Sequence, residues 1–112
     1  MANDRFASAH EMVREYAELE AAMADPSIHD DQGKARQLGR RYAQLGPVVA
    51  GFNQWKSAAD DLEAAKEMAL EDPDFASEIP ALEETVERTA TRLAQSEQTQ
   101  AAPFVFPLRL VV

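Results

Sequence analysis

Leu38-Gly39-Arg40-Arg41-Tyr42-Ala43-Gln44-Leu45-Gly46-Pro47-Val48-Val49-Ala50-Gly51-Phe52-Asn53-Gln54-Trp55 is the stretch that decides the fold. Leu38, Tyr42, Leu45, Val49, Phe52 and Trp55 recur at steps of three and four, which places them on one face of a helix. Leu62 and Ala69 continue the stripe, with Ala59 filling the gap, so the pattern is a heptad-like seam. A helix over residues 31–70 is predicted, its span from Gln32 to Leu70 being roughly 58 Å at 1.5 Å per residue. Gly46-Pro47 interrupts it. Proline removes one helical hydrogen bond and crowds the carbonyl of Ala43. The apolar phase nevertheless carries from Leu45 to Val49, and a kinked but continuous helix is expected. Phe52 and Trp55, the largest apolar residues on this seam, are expected to be largely buried.

Working outward, both ends of this helix are marked by Asp-Pro. The residue before a proline is pushed out of helical angles, so Asp25-Pro26 and Asp72-Pro73 are stops. Upstream of the first stop, Ala9, Met12, Val13, Tyr16, Leu19 and Met23 form one apolar stripe, predicting a helix over 6–24. Asp30 or Asp31 then caps the long helix, because a short carboxylate accepts unpaired backbone N–H groups. Downstream of the second stop, Phe75, Ile79, Leu82, Val86, Thr89 or Ala90, and Leu93 predict a third helix over 78–97, with Pro80 in its first turn. Short breaks make neighbours antiparallel. The predicted class is all-α: an elongated three-helix antiparallel bundle, or a coiled-coil hairpin with a third helix laid along it. Residues 1–97 form this domain. Residues 98–112 are apolar from Pro103 onward and without helical period, and are expected to be a disordered tail.

Composition agrees with thin helix-on-helix packing, since 21 of the 112 residues are alanine and large core-builders are few. No stretch approaches the roughly 20 apolar residues of a membrane span. The first residues lack the basic start and apolar run of a secretory signal, and there is no cysteine. A cytoplasmic protein is expected. The net charge of −9 is unevenly spread. Residues 1–31 carry eight acids and two bases, residues 32–56 five bases and no acid, and residues 57–87 eleven acids against Lys66 alone. Such blocks either neutralise one another side by side or leave a small basic patch facing phosphate or an acidic partner, with Lys34, Arg36, Arg40 and Arg41 as its contacts. Binding to free nucleic acid is not expected of so acidic a chain.

Nothing in the pattern carries chemistry. His10 and His29 are isolated, and the aspartates of His29-Asp30-Asp31 are better explained as a capped helix start than as metal ligands. Asp60-Asp61 and Glu83-Glu84 diverge as helix neighbours, whereas paired catalytic carboxylates must converge across a pocket. There is no phosphate loop and no nucleophile elbow. Tyr42, Phe52 and Trp55 at helical spacing read as core before they read as a stacking platform. No enzyme activity, cofactor or metal is expected.

One block goes further. Asp30-Asp31-Gln32, Leu38-Gly39-Arg40-Arg41-Tyr42-Ala43-Gln44-Leu45 and Pro47-Val48-Val49 resemble the N-terminal domain of bacterial class I peptide chain release factors, in particular the type that reads UAA and UAG. Tyr16 and Leu19 before Asp25-Pro26, Trp55 leading to Asp60-Asp61-Leu62, and the Glu71-Asp72-Pro73 break are similar in order and spacing. The resemblance covers roughly residues 5–95; from about Ser96 the residues no longer follow the family, and residues 98–112 are expected to be a non-family tail. It implies a non-catalytic, ribosome-docking part of such a factor, whose partners are the stalk base of the large ribosomal subunit and the GTPase that recycles release factors. The Gly-Gly-Gln loop that hydrolyses peptidyl-tRNA in the family is absent from this sequence. The expected product is therefore a truncated factor, unable to hydrolyse peptidyl-tRNA alone. The alternative is a stand-alone coiled-coil adaptor with a partner unrelated to termination.

Overall fold

The computed structural model describes residues 6–111, with side chains described through Gln100. Its elements are α1 (Ala7–Ala24), a 3-10 turn (Pro26–Asp30), α2 (Gln32–Glu71), a second 3-10 turn (Pro73–Glu78) and α3 (Ile79–Val111). Among the described residues there is no strand. The all-α class, the three helices and both Asp-Pro stops agree with the sequence reading.

The two stops are the same device used twice. Asp25 accepts from the backbone N–H of Ser27 and Asp72 from that of Asp74, each at 3.0 Å. In both turns the N–H three residues on, Ile28 and Phe75, closes onto the aspartate carbonyl at 3.0 Å. Proline costs nothing at the first position of such a turn, where its missing N–H has no partner to lose. Asp31 then caps α2, accepting from Lys34 N–H at 3.0 Å.

α2 is the strut on which the other helices lie. It packs against both α3 and α1, while α1 and α3 touch each other little. The molecule is accordingly a rod of 60 × 32 × 20 Å. α2 runs unbroken through Pro47, which lies on its exposed side together with Ala43. The carbonyl that loses its helical partner therefore faces water instead of the core.

The single seam expected on α2 resolves into two. Ala35, Leu38, Tyr42, Leu45, Val49 and Phe52 are buried or half-buried, and so are Val48, Gly51, Trp55, Ala58, Leu62, Ala65 and Ala69. Each set steps by three and four, and the second is offset from the first by one residue. One residue of offset is about 100° around the helix axis. α2 thus turns one face to α1 along its first half and another to α3 along its second. The buried alanine is Ala58, not Ala59, and the fully buried valine is Val48, not Val49.

The two faces overlap at residues 45–52, and the core sits there. Phe6 and Ala9 of the α1 end, Leu45, Val48 and Phe52 of α2, and Ala90 and Leu93 of α3 form one cluster. The Phe6 ring meets Trp55 edge-on at 4.8 Å, and the His10 ring meets Phe52 at 4.7 Å. Phe52 is 7% exposed as expected, but Trp55 is only partly buried, because it lies beyond the start of α1 with the Phe6 ring against it. α3 passes so close that a Cβ at Gly51 would meet the Leu93 Cα at 3.8 Å.

α3 extends beyond the sequence reading. An irregular tail was expected from residue 98, yet the backbone stays helical through Val111. Residues 96–102 contain neither glycine nor proline, and Ser96, Glu97 and Gln100 remain half-buried. Glu97 also makes a tertiary cap. Its Oε2 accepts the Ala9 N–H at 2.7 Å, in the first turn of α1, where Phe6 provides no side-chain cap. The apolar side chains of residues 103–112 lie outside the described residues.

Phe52→Ala should lower unfolding stability by roughly 3–5 kcal/mol, measured by urea denaturation. Leu70→Ala, at a residue 87% exposed, should change it by less than about 0.5 kcal/mol. Glu97→Ala should cost about 1 kcal/mol through the lost cap. Equal effects of the three substitutions would contradict this placement of the core.

Candidate docking surface on the second helix

The four basic residues singled out in the sequence do not form one patch. At about 100° per residue, Arg36 and Arg40 share one side of α2, whereas Lys34 and Arg41, seven apart, share another, about 130° round the helix. Lys34, Arg36 and Arg40 are exposed, and among the described residues they join no ion pair. Arg41 is turned inward, its side chain 15% exposed. It grips Glu15 of α1 with a two-pronged fork, Nε to Oε2 at 2.8 Å and Nη2 to Oε1 at 3.1 Å. This geometry matches the planar guanidinium to the planar carboxylate and fixes the register of α1 on α2.

A second polar contact lies one helical step away. Tyr16 and Tyr42 stack with ring centres 4.2 Å apart and planes inclined by 10°. The Tyr42 hydroxyl donates to Glu20 Oε2 at 2.9 Å. The Tyr42 phenol pKa is raised, first by its hydrogen-bonding contact with the Tyr16 hydroxyl and then by the Glu20 carboxylate. Neither Tyr16 nor the acids Glu15 and Glu20 figured in the sequence reading of the site. The signal available was a Glu-Tyr step in α1 matched by Arg41-Tyr42 in α2, visible only once the two helices are set antiparallel.

Of the two charge readings, neutralisation holds locally, where Arg41 meets Glu15. The eleven acids of residues 57–87 are all exposed and lie on the outer half of the α2–α3 hairpin, away from the basic stretch. Lys56 pairs there with Asp60 of its own helix at 3.4 Å. No group of three His, Cys, Asp or Glu able to hold a metal occurs among the described residues, and no helix among them is long and apolar enough to cross a membrane.

An antiparallel helical rod with its first helix packed on a 40-residue strut and Asp-Pro turns at both ends of that strut defines the class as an elongated three-helix bundle. The PCRF domain matches residues 12–104, and the chain belongs to that family. Similar proteins include peptide chain release factor 1 of Acidothermus cellulolyticus, 52% identical over 88 residues, which are 79% of this chain and 24% of that one. Peptide chain release factor 1 of Streptomyces coelicolor is 47% identical over 88 residues, 79% of this chain and 25% of the relative. That of Mycobacterium sp. (strain KMS) is 48% identical over 83 residues, 74% and 23%. The chain thus spans about a quarter of the length of the curated relatives it matches. No solved structure matches it. The family match ends nine residues beyond Gln95, so the stretch read as departing from the family at Ser96 is in part family sequence.

Arg41→Ala should destabilise the chain by about 1 kcal/mol, more than an exposed pair contributes, since the fork is half-buried and bidentate. Arg41→Lys should restore only part of this, as an ammonium cannot fork. The Tyr42 pKa is raised on folding, so its contribution is complete below the ordinary value of 10.0 and is lost as pH rises past it. The melting temperature should therefore fall more steeply between about pH 10 and about pH 12 in the wild type than in Tyr42→Phe.

Proposed function

We propose that this chain serves translation termination as the N-terminal, ribosome-docking domain of a peptide chain release factor, and that it does not itself hydrolyse peptidyl-tRNA. The observation that carries this reading is the family match over residues 12–104 together with about half identity to proteins named peptide chain release factor 1. The chain contains no Gly-Gly-Gln tripeptide, and hydrolysis requires groups positioned at the ester bond. Its contribution is a rigid rod that presents charged side chains at fixed spacing. Arg36 and Arg40, exposed on one side of α2, suit an anionic surface such as ribosomal RNA held in a structured site. In this reading the partners are the stalk base of the large ribosomal subunit and the GTPase that recycles release factors, and the location is the cytoplasm.

The test is co-sedimentation of the purified chain with ribosomes, in competition with a full-length release factor of the same type. Saturable binding that the factor displaces is expected, weakened about tenfold by the Arg36→Glu, Arg40→Glu double variant. Binding that is absent, or indifferent to the competitor, would overturn the docking role. The chain alone should release no peptide from ribosomes stalled at a stop codon, and stop-codon-dependent release above background would overturn its non-catalytic part.

A further inference from the structure

The outer half of the hairpin is only two helices thick among the described residues, because α1 begins at the middle of α2. One side of it is an open groove between α2 and α3. Its inner stretch, about 470 Å³, lies between Ser57, Ala58 and Asp61 on α2 and Leu82, Thr85 and Thr89 on α3. Its outer stretch, about 330 Å³, shares Asp61 and Leu82 and continues past Ala64 and Ala65 to Met68 and Phe75. Spacings of three and four keep each wall on one side of its helix, so the groove is straight. From Asn53 to Met68 it runs roughly 22 Å, about four helical turns.

Three properties of this groove point to one kind of occupant. Its floor is alanine, threonine and leucine, small enough for another helix to approach closely, as α3 approaches Gly51. Its outer end keeps apolar surface open to water, Met68 being 47% exposed. Its rim is acidic: Asp61 and Glu78 line it, Glu67, Glu71 and Asp72 surround the tip beside it, and Lys66 is the only cation of residues 57–87. At the inner end Arg88 donates to Thr85, so the negative potential strengthens toward the tip. A second copy seated through the same groove would bring the same acidic segment and be repelled.

We infer that this groove is a docking site for a cationic amphipathic helix of a partner protein, which lays its apolar face on the alanine-threonine floor and turns its lysines or arginines to the acidic rim, most densely at the tip. This is helix-in-groove recognition, with anchors at three- and four-residue spacing. The surface is distinct from the basic pair on the first half of α2, and the inference does not depend on the role proposed for that pair.

The test uses the full chain, labelled with 15N, titrated with a synthetic 18-residue helix carrying leucines at steps of three and four and lysines elsewhere. A scrambled isomer of the same composition is the control. Shifts confined to Ser57, Ala64, Ala65, Thr85 and their neighbours are expected, with the amphipathic peptide binding at least about tenfold tighter than the isomer. The variant Ser57→Gln, Ala64→Gln alters two exposed groove-lining positions without changing charge, and should abolish that preference with helix content unchanged by circular dichroism. Asp61→Asn, Glu78→Gln should weaken binding more than the equal charge change Glu63→Gln, Glu83→Gln. Equal affinity for the two peptides would overturn the inference in favour of bulk charge. It would equally be overturned by shifts spread over the whole acidic surface, by undiminished binding to the filled groove, or by self-association of the chain through these residues.

Discussion

Everything in this molecule hangs on the overlap of two apolar stripes at residues 45–52 of α2. A 40-residue helix in water is held by what packs against it far more than by its own propensity. Here the packing comes from two helices on two sides. Shifting the apolar repeat by one residue turns the buried face through about 100°. The first half of α2 can therefore receive α1 and the second half α3 without either displacing the other. Where the stripes coincide, Leu45, Val48 and Phe52 are enclosed by both, and the largest fully buried side chains, Leu45, Leu93 and Val48, all lie there. Glu97 ties the same junction by capping α1 from α3.

The parts of the fold legible in the sequence are those fixed locally. An Asp-Pro pair stops a helix because of its own backbone sterics, and both stops fell where they were read. The α1 stripe was legible for the same reason, though Phe6 was missed: it precedes the helix and has no periodic partner before it. The one-residue phase change was not legible, because Val48 and Val49, or Ala58 and Ala59, are chemically identical pairs. Only the direction from which a neighbour approaches tells them apart. The Glu97 cap and the Arg41–Glu15 fork are likewise tertiary, joining residues 88 and 26 positions apart. Arg41 shows the cost for site prediction, since a basic block in a sequence does not say which of its members a neighbouring helix has already engaged. The helical continuation of α3 was hidden because residues 103–112 show no helical period, although Glu, Gln and Ala in the preceding run favour helix.

The architecture separates charges along its length. The acids of α1 sit against the basic first half of α2, where one fork joins them. Of the acids of the outer hairpin, Asp60 pairs with Lys56 of its own helix; the others join no ion pair among the described residues and face water, where like charges oppose one another. A rod with a basic pair toward one end and an acidic, grooved tip at the other has two surfaces of opposite character, held apart by a rigid strut. The chain with these two surfaces is a member of the PCRF domain family and is similar to release factor relatives.

Native-state amide hydrogen exchange tests the central claim most directly, because it reads the free energy of opening residue by residue. If the stripe overlap holds the structure together, the slowest amides are those of residues 45–52 in α2 and 90–93 in α3, opening only with global unfolding. Protection should then decline along both arms, toward Gln32 and toward the Asp72-Pro73 tip. Protection that is uniform along α2, or greatest at the hairpin tip, would contradict the account.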